Sequence, residues 1–277
     1  MTVSGARSGA RRIPETNMRV LAVMAHPDDI EMTCAGTLIL LRRAGWDVHL
    51  ATMTAGDQGT ATRSRSAIAR IRKREAAASA RLLGATYTCL GFDDLTIVYG
   101  EKTKRPVSAL LRLVRPDLVI VPPPVDYMAD HEETPRIVRE AAFASTVPNW
   151  KASLGTKRPP PCEKLPAILY ADPIDNIDHF GRRVRPQYVV DVTGSVDLKE
   201  KMLACHDSQR SWLRHQHGED EYLLWMRRVG ADRARDFGHP RVRYAEGFRQ
   251  HLGHGFPRED HLTAALGKRL VRTLPVE

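Results

Sequence analysis

Apolar and polar positions fall into blocks that read alternately as strands and helices. Residues 20–25, Val-Leu-Ala-Val-Met-Ala, are wholly apolar, the pattern of a strand buried on both faces of a parallel sheet. The run stops at His26-Pro27-Asp28-Asp29-Ile30-Glu31, and a helical pattern follows through Leu38, Leu40 and Leu41 to Gly45. Residues 47–53 alternate as a second strand and 54–60 form a glycine-bearing loop. Residues 64–83 predict a long helix closed by Gly84, and 86–90 a third strand ending near Asp93 and Asp94. A helix over 106–114 and a fourth strand over 118–121 come next. The segment 125–134 then leads into a helix over 135–144, with Asp130 and His131 at its start. Further strands are expected at 168–171 and 188–192, and a helix at 199–209 that contains His206. Strands alternating with helices imply right-handed βαβ units. The expected fold is therefore α/β: a Rossmann-like three-layer arrangement with a mostly parallel sheet, whose strand ends converge on one carboxyl edge.

From Arg210 onward the texture changes. Aromatic residues (Trp212, Tyr222, Trp225, Phe237, Tyr244, Phe248, Phe256) alternate with His215, His217, His239, His251, His254 and His261. Residues 210–277 are read as a C-terminal helical and loop extension packed on a domain spanning 18–209. Residues 1–17 are small, polar and basic and lack the apolar core of a signal peptide. They are expected to be a disordered tail, and the protein to be cytoplasmic.

Composition narrows the function classes. The net charge of +9 is spread along the chain rather than clustered, so a solvated basic surface is favoured and no nucleic-acid partner is expected. No stretch reaches the roughly 20 apolar residues of a membrane span. Cys34, Cys89, Cys162 and Cys205 lie far apart with no Cys-x-x-Cys, which argues against a thiolate metal site and a disulfide framework. A glycine fingerprint after the first strand, a P-loop, a Gly-x-Ser-x-Gly elbow and His-Glu-x-x-His are all absent.

What remains is the chemistry of the first strand end. A helix cap at Asp28 with Glu31 as its partner would need one carboxylate; this stretch offers two and an imidazole. A catalytic zinc takes three protein ligands and keeps one position open. His26 and Asp29, three residues apart across a strand-to-helix turn, supply two ligands, and His131 is the best-placed third; His49, mid-strand, reads as structural. The same two-His, one-carboxylate set suits ferrous iron. Asp28 is left beside the metal as a base for activated water.

These residues bear a family resemblance. Ala25-His26-Pro27-Asp28-Asp29 followed by Ala35-Gly36-Thr37-Leu38 resembles the signature of the LmbE-like (PIG-L) metal-dependent N-deacetylases. Thr54-Ala55-Gly56-Asp57-x-Gly59-Thr60, Arg72-x-x-Glu75, Arg115-Pro116-Asp117 and His206-x-Ser208-Gln209 extend the likeness through most of the chain. The resemblance implies zinc on His26, Asp29 and His131, Asp28 as general base, and Arg72 and Asp94 as contacts to sugar hydroxyls. The implied substrate is a small N-acetylated amino-sugar conjugate; a homo-oligomer is compatible with the sequence. One departure stands out. The family's second motif, His-x-Asp-His, reads Met128-Ala129-Asp130-His131 here, and methionine cannot donate a proton. His206, His251, His254 and Tyr127 are the candidates to replace that histidine. Rival readings are hydrolysis of another amide, a ferrous oxygenase, and a basic binding module with a structural metal.

Overall fold

The two-sided apolar run near the start of the chain becomes the centre of the sheet. Strand β1 (Arg19–Met24) pairs in parallel with β2 (Asp47–Thr54) on one side and β4 (Leu118–Val121) on the other. The computed structural model describes residues 18–211 and 221–275; the expected tail at 1–17, and Trp212, His215 and His217, lie outside them. Strand β3 (Thr86–Phe92) extends the sheet beyond β2, and β5 (Ala167–Ala171) beyond β4, both in parallel. The chain thus builds outward from β1 to β3, then returns to start β4 on the other flank of β1. That reversal opens a crevice at the carboxyl ends of β1 and β4, where open α/β sheets bind ligands.

Side chains alternate between two cores. Val20, Ala22 and Met24 of β1, with Leu118 and Ile120 of β4, pack under helices α2 (Ala35–Arg43), α3 (Arg65–Leu83) and α6 (Val196–Ala204). Leu21, Val23, Val119 and Val121 face α4 (Glu101–Val114) and α5 (Ala129–Ser145). The result is the expected three-layer arrangement, helices on both faces of a mostly parallel sheet that has eight strands among the described residues. Among the described residues no helix is long and apolar enough to cross a membrane.

Three expectations are adjusted. Helices α4 and α5 begin at Glu101 and Ala129, each well before the prolines (Pro106, Pro135) that marked their expected starts. A proline ring is favoured in the first turn and costs a hydrogen bond deeper inside; packing of both helices on the sheet outweighs that cost here. The helix after β1 is two helices, α1 (Asp29–Thr33) and α2, broken at Cys34. The extension expected from residue 210, read as helix and loop packed on the same domain, contributes strands to the sheet. Beyond α7 (Glu221–Phe237), β7 (Ala245–Gln250) inserts antiparallel between β5 and β6 (Tyr188–Asp191). After α8 (His261–Leu266), β8 (Val271–Thr273) closes that edge.

Strand β7 is held by a charge the pattern did not reveal. Glu246, buried, accepts the backbone N–H groups of Gly36 (2.8 Å) and Thr37 (2.7 Å) at the start of α2, the Thr37 hydroxyl, and the Lys199 ammonium at 2.7 Å. A carboxylate is favoured at a helix N-terminus, and a buried charge needs such partners. A Cβ at Gly36 would stand 2.8 Å from Glu246 Oε1 and from Val192. Gly36→Ala is therefore expected to cost about 1–3 kcal/mol of stability, read from the midpoint of urea unfolding; an unchanged midpoint would refute the close fit.

Candidate metal centre

After β1 the chain turns through Pro27 and Asp28, and Asp28 adopts φ 98°, ψ −25°. That left-handed conformation is uncommon outside glycine. The Asp29 carboxylate closes the turn by accepting the His26 backbone N–H at 2.8 Å. On the other side of the crevice α5 begins at Ala129, which brings His131 into the first turn facing β1. His26 Nδ1 and His131 Nε2 lie 3.2 Å apart, and Asp29 Oδ2 lies 3.5 Å from the first and 3.4 Å from the second. A tetrahedral ion with bonds of about 2.0–2.1 Å has donor–donor edges of about 3.3–3.4 Å. The triangle formed by these three atoms matches one face of such a tetrahedron, so the residues fit a divalent metal.

The remaining imidazole nitrogens are held by carboxylates. His131 Nδ1 is 3.2 Å from Asp126 Oδ2. His26 Nε2 is 3.2 Å from Asp130 Oδ2 and 3.1 Å from Asp94 Oδ1. Asp130 in turn accepts the N–H groups of Leu95 (2.8 Å) and Ile97 (3.1 Å). Such outer carboxylates fix the tautomer and ring orientation of metal-binding histidines. His26, Asp94 and Asp130 form a second tight cluster. Both Asp130 oxygens are already engaged by backbone N–H groups, so this cluster serves to orient His26.

The charge balance points the same way. Asp29, Asp94, Asp126 and Asp130 are all buried around two histidines, an excess of negative charge that calls for a cation. Burial opposes charging of His131, yet Asp29 and Asp126 carry it to about 10. Burial likewise opposes His26, and its hydrogen bonds to Asp130, Asp29 and Asp94 push it well above the usual range. Burial acts against the charged form of Asp29 too, but the imidazoles hold it well below the usual carboxylate range. Asp28 goes the opposite way: burial first, then the charge of Asp29, push it up to about 6.

Asp28 sits at the N-cap position of α1 but makes no capping bond. Glu31 pairs instead with Ser79 and with His206, whose Nε2 is 3.3 Å from Glu31 Oε2. The helix-cap account of this stretch therefore does not describe its side chains. His26, Asp28 and Asp29 line one cleft with Gln58, Gly59, Arg72, Asp94, Leu95, Tyr127, Met128 and Gln209. Arg72 is buried under the glycine loop and donates to the Gly59 carbonyl at 2.8 Å and to Gln209. Gly56, at φ +62°, has no room for a side chain against it. Asp94 is buried too, bonded to His26 and to the Gln58 N–H at 3.1 Å.

Of the four candidates to replace the histidine expected at 128, two are removed by topology. Strand β7 runs antiparallel to β5, so the His251 N–H meets the Ile168 carbonyl at the start of β5, the edge opposite the site. His254 follows in the same loop. His206 is buried against Glu31. Tyr127 lines the cleft, its ring 5.2 Å from that of His131.

Known proteins resemble the chain over most of its length. Residues 21–142 match the family model described as PIG-L, GlcNAc-PI de-N-acetylase. The resemblance to the PIG-L (LmbE-like) family read from the sequence is matched over this stretch. The chain is similar to diacetylchitobiose deacetylase of Thermococcus kodakarensis, at 28% identity over 83% of this chain and 82% of the relative. It is also similar to 4-oxalmesaconate hydratase of Pseudomonas putida, at 24% identity over 82% and 86%. Among solved structures it resembles N,N'-diacetylchitobiose deacetylase from Pyrococcus horikoshii, with 28% identity, a TM-score of 0.70 and coverage of 87% and 88%.

The sequence reading assigned no site role to Asp126 and Asp130, which orient the histidines, to Gln58, Leu95 and Gln209 in the cleft wall, or to Tyr222. Tyr222 donates its hydroxyl to Asp28 Oδ2 at 2.6 Å. Asp126 and Asp130 closely precede His131 in sequence and were within reach of a local reading; Tyr222 carried no signal of its own.

Proposed function

We propose that this chain is a zinc-dependent hydrolase that removes the N-acetyl group from a small amino-sugar conjugate. The observation that supports it best is the His26–Asp29–His131 triangle with Asp28 beside it in an open cleft. A structural zinc site is closed by four protein ligands, whereas three leave a position for water and substrate. Zinc held there would acidify a water molecule and polarise the acyl carbonyl.

The protein's own groups do the rest. Asp28 takes a proton from the attacking water as the new C–O bond forms at the acetyl carbon. It returns that proton to the nitrogen as the C–N bond breaks, so acetic acid and a free amine leave and ionise in solution. Tyr127 takes the part of the missing histidine by donating its phenol O–H to the acyl oxygen. Gln58, Arg72, Asp94 and Gln209 give the cleft a polar wall, and Leu95, Tyr127 and Met128 an apolar one. That pairing suits a pyranose, with hydroxyls at its rim and C–H groups on its face. In this reading Arg72 and Asp94 meet sugar hydroxyls.

Met128 favours one alternative: hydration of a carbon–carbon double bond, as the name of the Pseudomonas putida relative describes. Such a reaction has no amine to release and no need of the histidine. One experiment separates the two. Zinc-loaded protein is given a panel of N-acetylglucosamine conjugates, read by amine release, and a panel of conjugated oxo-dicarboxylates, read by loss of ultraviolet absorbance. Amine release is the expected result. Silence on every sugar with absorbance loss on an unsaturated acid would replace the deacetylase reading with the hydratase one.

A further inference from the structure

Asp28 needs something to hold it. Its backbone is in the left-handed region and its side chain is not used in capping, so local structure does not fix where the carboxylate points. The charges of His206 and Arg72 both favour its ionised form, and Asp29 beside it is committed to the ligand triangle. A base left to swing among these groups loses the orientation that proton transfer requires.

The fixed point comes from 194 residues further along the chain. Tyr222, in the first turn of α7, donates its hydroxyl to Asp28 Oδ2 at 2.6 Å, the short length of an O–H bond to a carboxylate. The ring is buried among Met32, Val196, Leu203 and Met226, so packing, not Asp28, sets its place. Helix α7 is itself tied to α6 by Arg227, which pairs with Glu200 and with Asp197 at 2.8 Å. Burial and the charge of Asp28 push the Tyr222 phenol well above its ordinary range, which keeps it a donor.

We infer that Tyr222 is a positioning residue for the base: it tethers Asp28 Oδ2 and turns Oδ1 toward the water in the cleft. This rests on Asp28 acting as the base, as proposed above. It assigns to the segment after residue 210 a direct part in the reaction geometry, beyond completing the sheet.

The test is Tyr222→Phe in the zinc-loaded full chain. The ring stays, so the apolar cluster is kept and only the hydroxyl is lost. The expected result is a fall in kcat of about 10- to 100-fold, with KM, zinc content and thermal midpoint unchanged. In an Asp28→Asn background the same substitution is expected to add little, because the two groups act as a unit. A kcat within about twofold of wild type would overturn the inference. So would parallel losses of kcat, zinc content and thermal midpoint, which mark a purely structural residue. If wild type releases no amine from any conjugate, the deacetylase reading is what fails. The tether is then judged by crystal structures of both proteins, where an Asp28 carboxylate in the same rotamer with and without the hydroxyl overturns it.

Discussion

Asp28→Asn is expected to lower kcat for amine release by about 10²- to 10⁴-fold, the range that a positioned general base contributes. The asparagine has nearly the same shape and keeps an oxygen for the Tyr222 hydroxyl. Asp28 is absent from the ligand triangle, whose edges join His26, Asp29 and His131. Zinc content should therefore hold, and KM should move little. The substitution removes a buried carboxylate that Asp29 repels, so stability should be kept or rise slightly. Measurement of kcat, KM, bound zinc and thermal midpoint on the same preparation checks all four expectations. A kcat near wild type would strike Asp28 from the mechanism, and loss of zinc would make it a ligand instead.

Removal of the metal should have the second large effect. Four buried carboxylates surround His26 and His131, and without a cation their mutual repulsion is poorly compensated. A ligand that binds the folded state alone, at about 1,000 times its Kd, contributes about 4 kcal/mol. For a chain of this size that is on the order of 10 °C in thermal midpoint. Chelation should produce this drop together with complete loss of activity, and added zinc should restore both. His131→Ala should reproduce the chelated state and no longer respond to zinc. Asp126→Asn, which weakens the hold on His131 Nδ1, should weaken zinc binding by about 10- to 100-fold. Titration of apo protein followed by calorimetry reads all three, and a midpoint indifferent to chelator and zinc would rule out a metal at this triangle.

The elements legible in the sequence are those whose pattern is local. The apolar run of β1 declares a strand buried on both faces, because each of its alternating side chains meets a different core. Helix α3 announces its end at Gly84, which takes the left-handed conformation that stops a helix. His26, Asp28 and Asp29 were legible because a turn between a strand and a helix brings residues three apart to one point. His131 followed from topology alone, since parallel strands end at a common edge.

Other features have causes distant in sequence. Strand β7, Ala-Glu-Gly-Phe-Arg-Gln, reads as polar; it belongs in the middle of a sheet only because Glu246 finds the α2 amides and Lys199. His251 and His254 looked usable until the antiparallel direction of β7 put them at the far edge. Tyr222 is one aromatic among many in its segment, and only the packing of α7 on α6 sets its hydroxyl against Asp28. The sequence by itself determined the chemistry on offer: two imidazoles and two neighbouring carboxylates at a strand end. The tertiary structure decided what holds each of them: Asp126 and Asp130 behind the imidazoles, and a phenol on the carboxylate outside the triangle. A hydrogen bond depends on where two atoms meet in space, and for groups 194 residues apart no local pattern encodes that meeting.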